Sequence, residues 1–221
     1  MWKDLTEPWR ACLEEMWAAY CAGSIPVGAV VADARGRIVA RGRNRSYERG
    51  GESHRRQIRP LAHAEIEALD TLDYTHSDPH TCVLYTSTEP CPLCLGALYM
   101  SGVREFRYAA RDPYAGSANL LGTTPYLRQK PIRVLPPQSP ELETVITAVA
   151  VEFALRHPEP EGEAPARPAW RKVLPVWGEV IPGGVRLGEA VFATGWLERM
   201  RETWAPAAQV IDGLSERART G

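Results

Sequence analysis

Over the first 156 residues the apolar positions switch repeatedly between helical spacing and unbroken runs. Trp9, Leu13, Met16, Trp17 and Tyr20 recur at helical spacing behind Pro8, and Gly23 supplies a stop. This predicts a helix over 8–22, since proline suits a first helical turn. Residues Ile25 to Ala32 form a run of small apolar side chains that reads as a strand buried on both faces. A turn at 33–37 and a second strand over 38–42 make it a hairpin. Residues 44–60 turn polar and read as a long loop. A helix follows over 62–72, with Ile66 and Leu69 facing inward. Strands are predicted over 81–86, 103–109 and, more weakly, 132–135, with a buried helix over 90–100 closed by Ser101-Gly102. Ser139-Pro140-Glu141 is a helix start: a hydroxyl N-cap, a proline in the first turn and an acid beside it. Leu142, Val145, Ile146, Val149 and Phe153 then mark an apolar stripe.

The pattern ends at residue 157. Residues 157–168 carry four prolines and three glutamates with almost nothing to bury, which predicts a linker. Beyond it, periodicity is weak except over 188–204, which reads as one helix. The expected organisation is therefore a body over 1–156, a linker over 157–169 and an extension over 170–221. All seven tryptophans lie in the first 17 residues or in that extension. Large aromatics need burial, so the extension is expected to fold back on the body, or on a partner copy.

Composition adds exclusions. The 221 residues carry a formal net charge of −1, with 24% charged and 44% hydrophobic residues. This excludes a uniformly basic nucleic-acid binder. No apolar run reaches the roughly 18 residues of a membrane helix. The first residues show no export pattern, and five irregularly spaced cysteines fit a reducing cytoplasm. Charge is uneven, however. Between Arg41 and Leu61 stand seven arginines against Glu48 and Glu52. They suit phosphate contacts, or else pair with acids elsewhere on the surface.

The candidate chemistry lies at two predicted helix starts, His63-Ala64-Glu65 and Pro90-Cys91-Pro92-Leu93-Cys94. Cys91 and Cys94 are one helical turn apart, so both sulfurs can face one way. Thiolates are stabilised at a helix N-terminus, and His63 offers a third ligand. Three protein ligands plus one position for water is the arrangement of catalytic zinc. Glu65, two residues from His63, is a candidate proton carrier. Each piece alone has a plainer reading: a redox pair, a capping histidine, a solvated first-turn acid. Together they match H-x-E…P-C-x-x-C, a zinc deaminase signature. Cys12, Cys21 and Cys82 read as small buried residues.

Through residues 26–31, 63–69 and 84–97, the stretch from 8 to about 155 resembles the zinc-dependent cytidine and deoxycytidylate deaminase superfamily. Within it the chain is similar to the branch of guanine deaminases and tRNA adenosine deaminases. The resemblance implies an α/β/α sandwich on a five-stranded mixed sheet of order 2-1-3-4-5, both metal-bearing helices on one face. It implies zinc on His63, Cys91 and Cys94, with Glu65 as proton shuttle. It implies that Asn44 and the backbone of Ala64 hold the substrate. Read alone, Asn44 is a turn residue, and Asp112 is equally a turn aspartate or part of a loop bordering the substrate. The expected activity is hydrolytic deamination of a free nucleobase, nucleoside or nucleotide, a guanine-type purine ahead of cytosine. Adenosine deamination in tRNA and a non-catalytic zinc protein are the alternatives, with RNA as a partner less favoured. A homodimer through the metal-bearing face is a further implication.

Overall fold

The computed structural model describes residues 1–48, 59–137, 139–157 and 170–220. Arg49, Arg55 and Arg56 of the basic segment, and 158–169 of the expected linker, lie outside the described residues. The elements are α1 (Glu7–Cys21), β1 (Gly28–Ala32), β2 (Ile38–Arg43), α2 (Ala64–Asp70), β3 (Val83–Thr88), α3 (Pro92–Ser101), β4 (Glu105–Ala110), β5 (Arg133–Leu135), α4 (Pro140–Arg156), α5 (Trp170–Val180), α6 (Pro182–Thr194), α7 (Trp196–Glu202) and α8 (Ala207–Thr220).

The sheet runs in the order β2-β1-β3-β4-β5. β1 is antiparallel to both β2 and β3, while β3, β4 and β5 are mutually parallel. Every residue of β1 is buried because the pleat feeds two cores. Ala29 and Val31 pack with Ala68 of α2 and Leu95 and Leu98 of α3. Val30 and Ala32 pack with Ala11 and Cys12 of α1. The sheet thus carries α2 and α3 on one face, and α1 with α4 on the other. Ser139 caps α4, its hydroxyl accepting from the Leu142 N–H at 3.1 Å.

The single helix expected over 188–204 is not formed. Gly195 takes a left-handed conformation (φ 61°), closing α6 and starting α7 in a new direction. Four helices occupy 170–220 instead of one. They pack on the outer face of α1 and α4. Leu187, Val191, Leu197, Val210, Ile211 and Leu214 share one core with Leu13, Met16, Trp17 and Leu142. The Trp17 indole donates to the Ala205 carbonyl at 2.8 Å. Glu152, fully buried, accepts from the Tyr20 hydroxyl at 2.6 Å and pairs with Arg156, which also reaches Glu198 of α7. Trp204 departs from the expected burial of the tail aromatics: it is 84% exposed. No helix among the described residues is long and apolar enough to cross a membrane.

Candidate active site

Two helix starts on one face of the sheet bring the motif together. His63 is the N-cap of α2 and Cys91 that of α3, both with extended backbone. Neither side chain makes a capping bond to its own helix, and the two meet between the helices. Cys94, one turn into α3, completes the group. His63 Nδ1 lies 3.6 Å from Cys91 Sγ and 3.5 Å from Cys94 Sγ, and the sulfurs are 3.6 Å apart.

Those three edges test the fit of a metal. A tetrahedral zinc with Zn–S near 2.3 Å and Zn–N near 2.0–2.1 Å requires S···S of about 3.8 Å and S···N of about 3.6 Å. The triangle is already the right size, and two sulfurs with an imidazole are a zinc donor set. The charges agree. The contact with Cys94, and then His63, pull the Cys91 thiol down to about 4 against its burial. The hydrogen bond with Cys91 and burial push Cys94 well up, and the bond to Cys91 raises His63. One thiolate held by two proton-bearing neighbours is a cluster in which a cation would replace protons.

Glu65 sits in the first turn of α2, almost wholly buried, and is not one of the three converging ligands. One carboxylate oxygen is 3.2 Å from Cys94 Sγ, and the other accepts from the Thr86 hydroxyl of β3 at 3.1 Å. Burial pushes its pKa up. The carboxylate is thus fixed at the edge of the ligand triangle, with no Lys or Arg paired to it among the described residues.

Asn44 follows directly on β2 and is buried. Its Oδ1 accepts from the Ser24 hydroxyl at 2.8 Å and the Ser46 N–H at 2.9 Å. The next residue, Arg45, donates its N–H to the Ala62 carbonyl, which sets this segment beside His63. Ala64 is the first residue of α2 and fully buried. Its N–H, at a helix start, has no partner within the helix. Thr86 and Ser24 carry no sequence signal, because each acts across about 20 residues on a side chain from another element. Glu89, which immediately precedes Pro90-Cys91, likewise carries no sequence signal of its own. Its carboxylate accepts from the Asp112 and Ala118 N–H groups.

Comparison with known proteins agrees with this geometry. The profile of the cytidine and deoxycytidylate deaminase zinc-binding region matches residues 3–110. That segment carries the zinc-binding region of this deaminase family. Over 95 residues it is 40% identical to the tRNA(Ile)-lysidine synthase of Deinococcus radiodurans, covering 42% of this chain and 15% of that protein. Over 97 residues it is 37% identical to the guanine deaminase of Bacillus subtilis, covering 42% and 55% of the two chains. A solved structure from work on tRNA:A34 deaminases superposes with a TM-score of 0.52 at 26% identity, covering 64% of this chain and 99% of that one. The chain therefore spans a small part of the first of these relatives and about half of the second. Other similar proteins divide between free-base deaminases and tRNA-specific adenosine deaminases. The five-stranded sheet and the His63, Cys91, Cys94 triad are those of a zinc-binding deaminase.

Proposed function

We infer that this protein is a zinc-dependent hydrolytic deaminase of a free nucleobase or nucleoside, a guanine-type purine ahead of cytosine. The observation that carries the reading is Glu65, a buried carboxylate held by Thr86 at the edge of the ligand triangle. The reaction exchanges an amidine C–NH2 for C=O, consuming water and releasing ammonia. His63, Cys91 and Cys94 would hold a zinc ion, which would supply Lewis acidity towards the attacking water. Glu65 accepts a proton from the attacking water, passes it to the ring nitrogen and then moves a proton to the departing amine. Burial raises its pKa, the direction that suits a carboxylate that must hold a proton before passing it on. With Oδ1 of Asn44 held by Ser24 and Ser46, its NH2 is the end left to donate to a carbonyl of the base. The Ala64 N–H is the matching backbone donor.

Charge pairing supports the small substrate. Arg41 meets Glu14 and Glu15, Arg43 meets Glu48, Arg45 meets Glu48 and Glu67, and Arg59 meets Glu67. Each described arginine of the basic segment is engaged with a carboxylate rather than held open for phosphate. The likeness to guanine deaminases favours the purine. A homodimer through the metal-bearing face belongs to the same proposal, and exposed Leu93 and Met100 on α3 support it.

One second reading has its own support. The similarity to tRNA-specific adenosine deaminases favours an adenosine in RNA. The deciding experiment measures ammonia release by the zinc-loaded protein. Its substrates are guanine, guanosine, adenosine, cytosine, cytidine, their monophosphates and an adenosine-bearing RNA stem-loop. Guanine is expected to turn over fastest. Turnover of the stem-loop alone would replace this reading with the second, and turnover of nothing would leave a non-catalytic zinc protein.

A further inference from the structure

The loop over 111–118, which follows β4, is tied to the residues that carry the zinc ligand Cys91. Ser117 N–H donates to the Pro90 carbonyl at 3.0 Å, and Glu89 N–H to that of Ala110 at 2.8 Å. The Glu89 carboxylate accepts from Asp112 N–H at 3.3 Å and Ala118 N–H at 3.2 Å. The loop closes so tightly on it that a Cβ at Gly116 would lie 2.5 Å from Glu89 Cδ. A shift of this loop therefore acts on residues 89 and 90, one peptide bond from a metal ligand.

Two further anchors hold the loop from outside. Arg111 grips Glu143 of α4 through its backbone N–H at 3.0 Å and its guanidinium at 2.7 and 2.9 Å. The other anchor comes from the extension. Trp177 of α5 donates its indole N–H to Asp112 Oδ1 at 3.2 Å. That same oxygen accepts from Tyr114 N–H at 3.0 Å and Ala115 N–H at 3.1 Å, so it organises the turn. Trp177 is itself buried against Val151 of α4 and Val173. Its ring is thus fixed by the body while its N–H reaches the loop. Tyr114, next to the turn, remains 60% exposed.

We propose that Trp177 is a positioning residue for substrate selection, and that α5 contributes through it to the deaminase site. By holding Asp112 it fixes where the loop 111–118 stands beside Glu89-Pro90-Cys91, and so the space left for the base. The proposal rests on the deaminase reading for its kinetic part only, because the loop position is measurable without turnover.

The test compares wild type with Trp177→Phe, which keeps a buried ring and removes the N–H. Hydrogen exchange at the amides of 112–118 is expected to speed up, with α4 amides unchanged and zinc content retained. For the best substrate of the ammonia screen, KM is expected to rise roughly three- to tenfold, the range one lost hydrogen bond supports. kcat should stay within about twofold, since Glu65 and the metal ligands are untouched. Asp112→Asn keeps the accepting oxygen and should retain wild-type exchange and KM. Asp112→Ala also loses the bonds from Tyr114 and Ala115 N–H, so it should show at least the Trp177→Phe effect, and adding Trp177→Phe to it should change nothing more. Unchanged exchange over 112–118 in Trp177→Phe would overturn the proposal, as would a fall in kcat at constant KM. If wild type releases no ammonia from any compound, the deaminase reading fails while the exchange data still decide whether Trp177 sets the loop.

Discussion

Glu65 is the residue on which the chemistry turns, and its neighbours show why a conservative change should be informative. Glu65→Gln keeps the shape and the bond to Thr86, and leaves His63, Cys91 and Cys94 in place. Zinc content should stay at one per chain by metal analysis. Turnover should fall by about 10²- to 10⁴-fold, the usual contribution of a positioned acid–base group. Wild-type turnover would remove Glu65 from the proton path, and loss of zinc would make it a structural support of the metal. The metal triad and Glu65 were legible in the sequence because each stands within two residues of a helix start, where spacing alone sets direction. The support around them was not. Ser24 and Thr86 act on Asn44 and Glu65 across a chain reversal, and only the pairing of β1 with β2 and β3 makes them neighbours.

At the level of elements, the strands and helices up to α4 could be read because their apolar positions keep one period from end to end. The boundaries differ by two or three residues where a proline or a turn intervenes, as at Pro26, across which Val27 N–H turns back to the Ile25 carbonyl. The four helices of the extension could not be read so, and glycine is the reason. In α6 a glycine that looks like a breaker is a packing position. A Cβ on Gly188 would stand 2.6 Å from Val151 Cβ and 2.9 Å from the Ala148 carbonyl oxygen. α6 therefore approaches α4 to backbone distance. Alanine at 188 gains about 1 kcal/mol of helix propensity but overpacks the contact at a cost of about 1–3 kcal/mol. Gly188→Ala should accordingly lower stability in urea unfolding. Gly178 in α5 has nothing within 4 Å of the same position, so Gly178→Ala should be neutral or stabilising by up to about 1 kcal/mol. Equal effects at the two sites would contradict the close approach of α6 to α4.

For the whole molecule, one core unites α1, α4 and the last three helices, so body and extension are expected to unfold as one unit. Leu214 is fully buried in it. Leu214→Ala should cost about 2–5 kcal/mol, the range for a buried leucine. Tryptophan fluorescence, circular dichroism and zinc release should all report the same shifted midpoint in urea. Separate midpoints for fluorescence and zinc release would show an extension that melts by itself. The same core also fixes an order of events at the ribosome. Trp17 reaches its hydrogen-bond partner at Ala205 only after 188 further residues have been made. At about 5–20 residues per second that is a delay of roughly 10 to 40 s. Throughout it Leu13, Met16 and Trp17 have only part of their final cover. A chain halted before residue 205 would therefore leave the first helix half covered, with Leu13, Met16 and Trp17 open to chaperones or to aggregation.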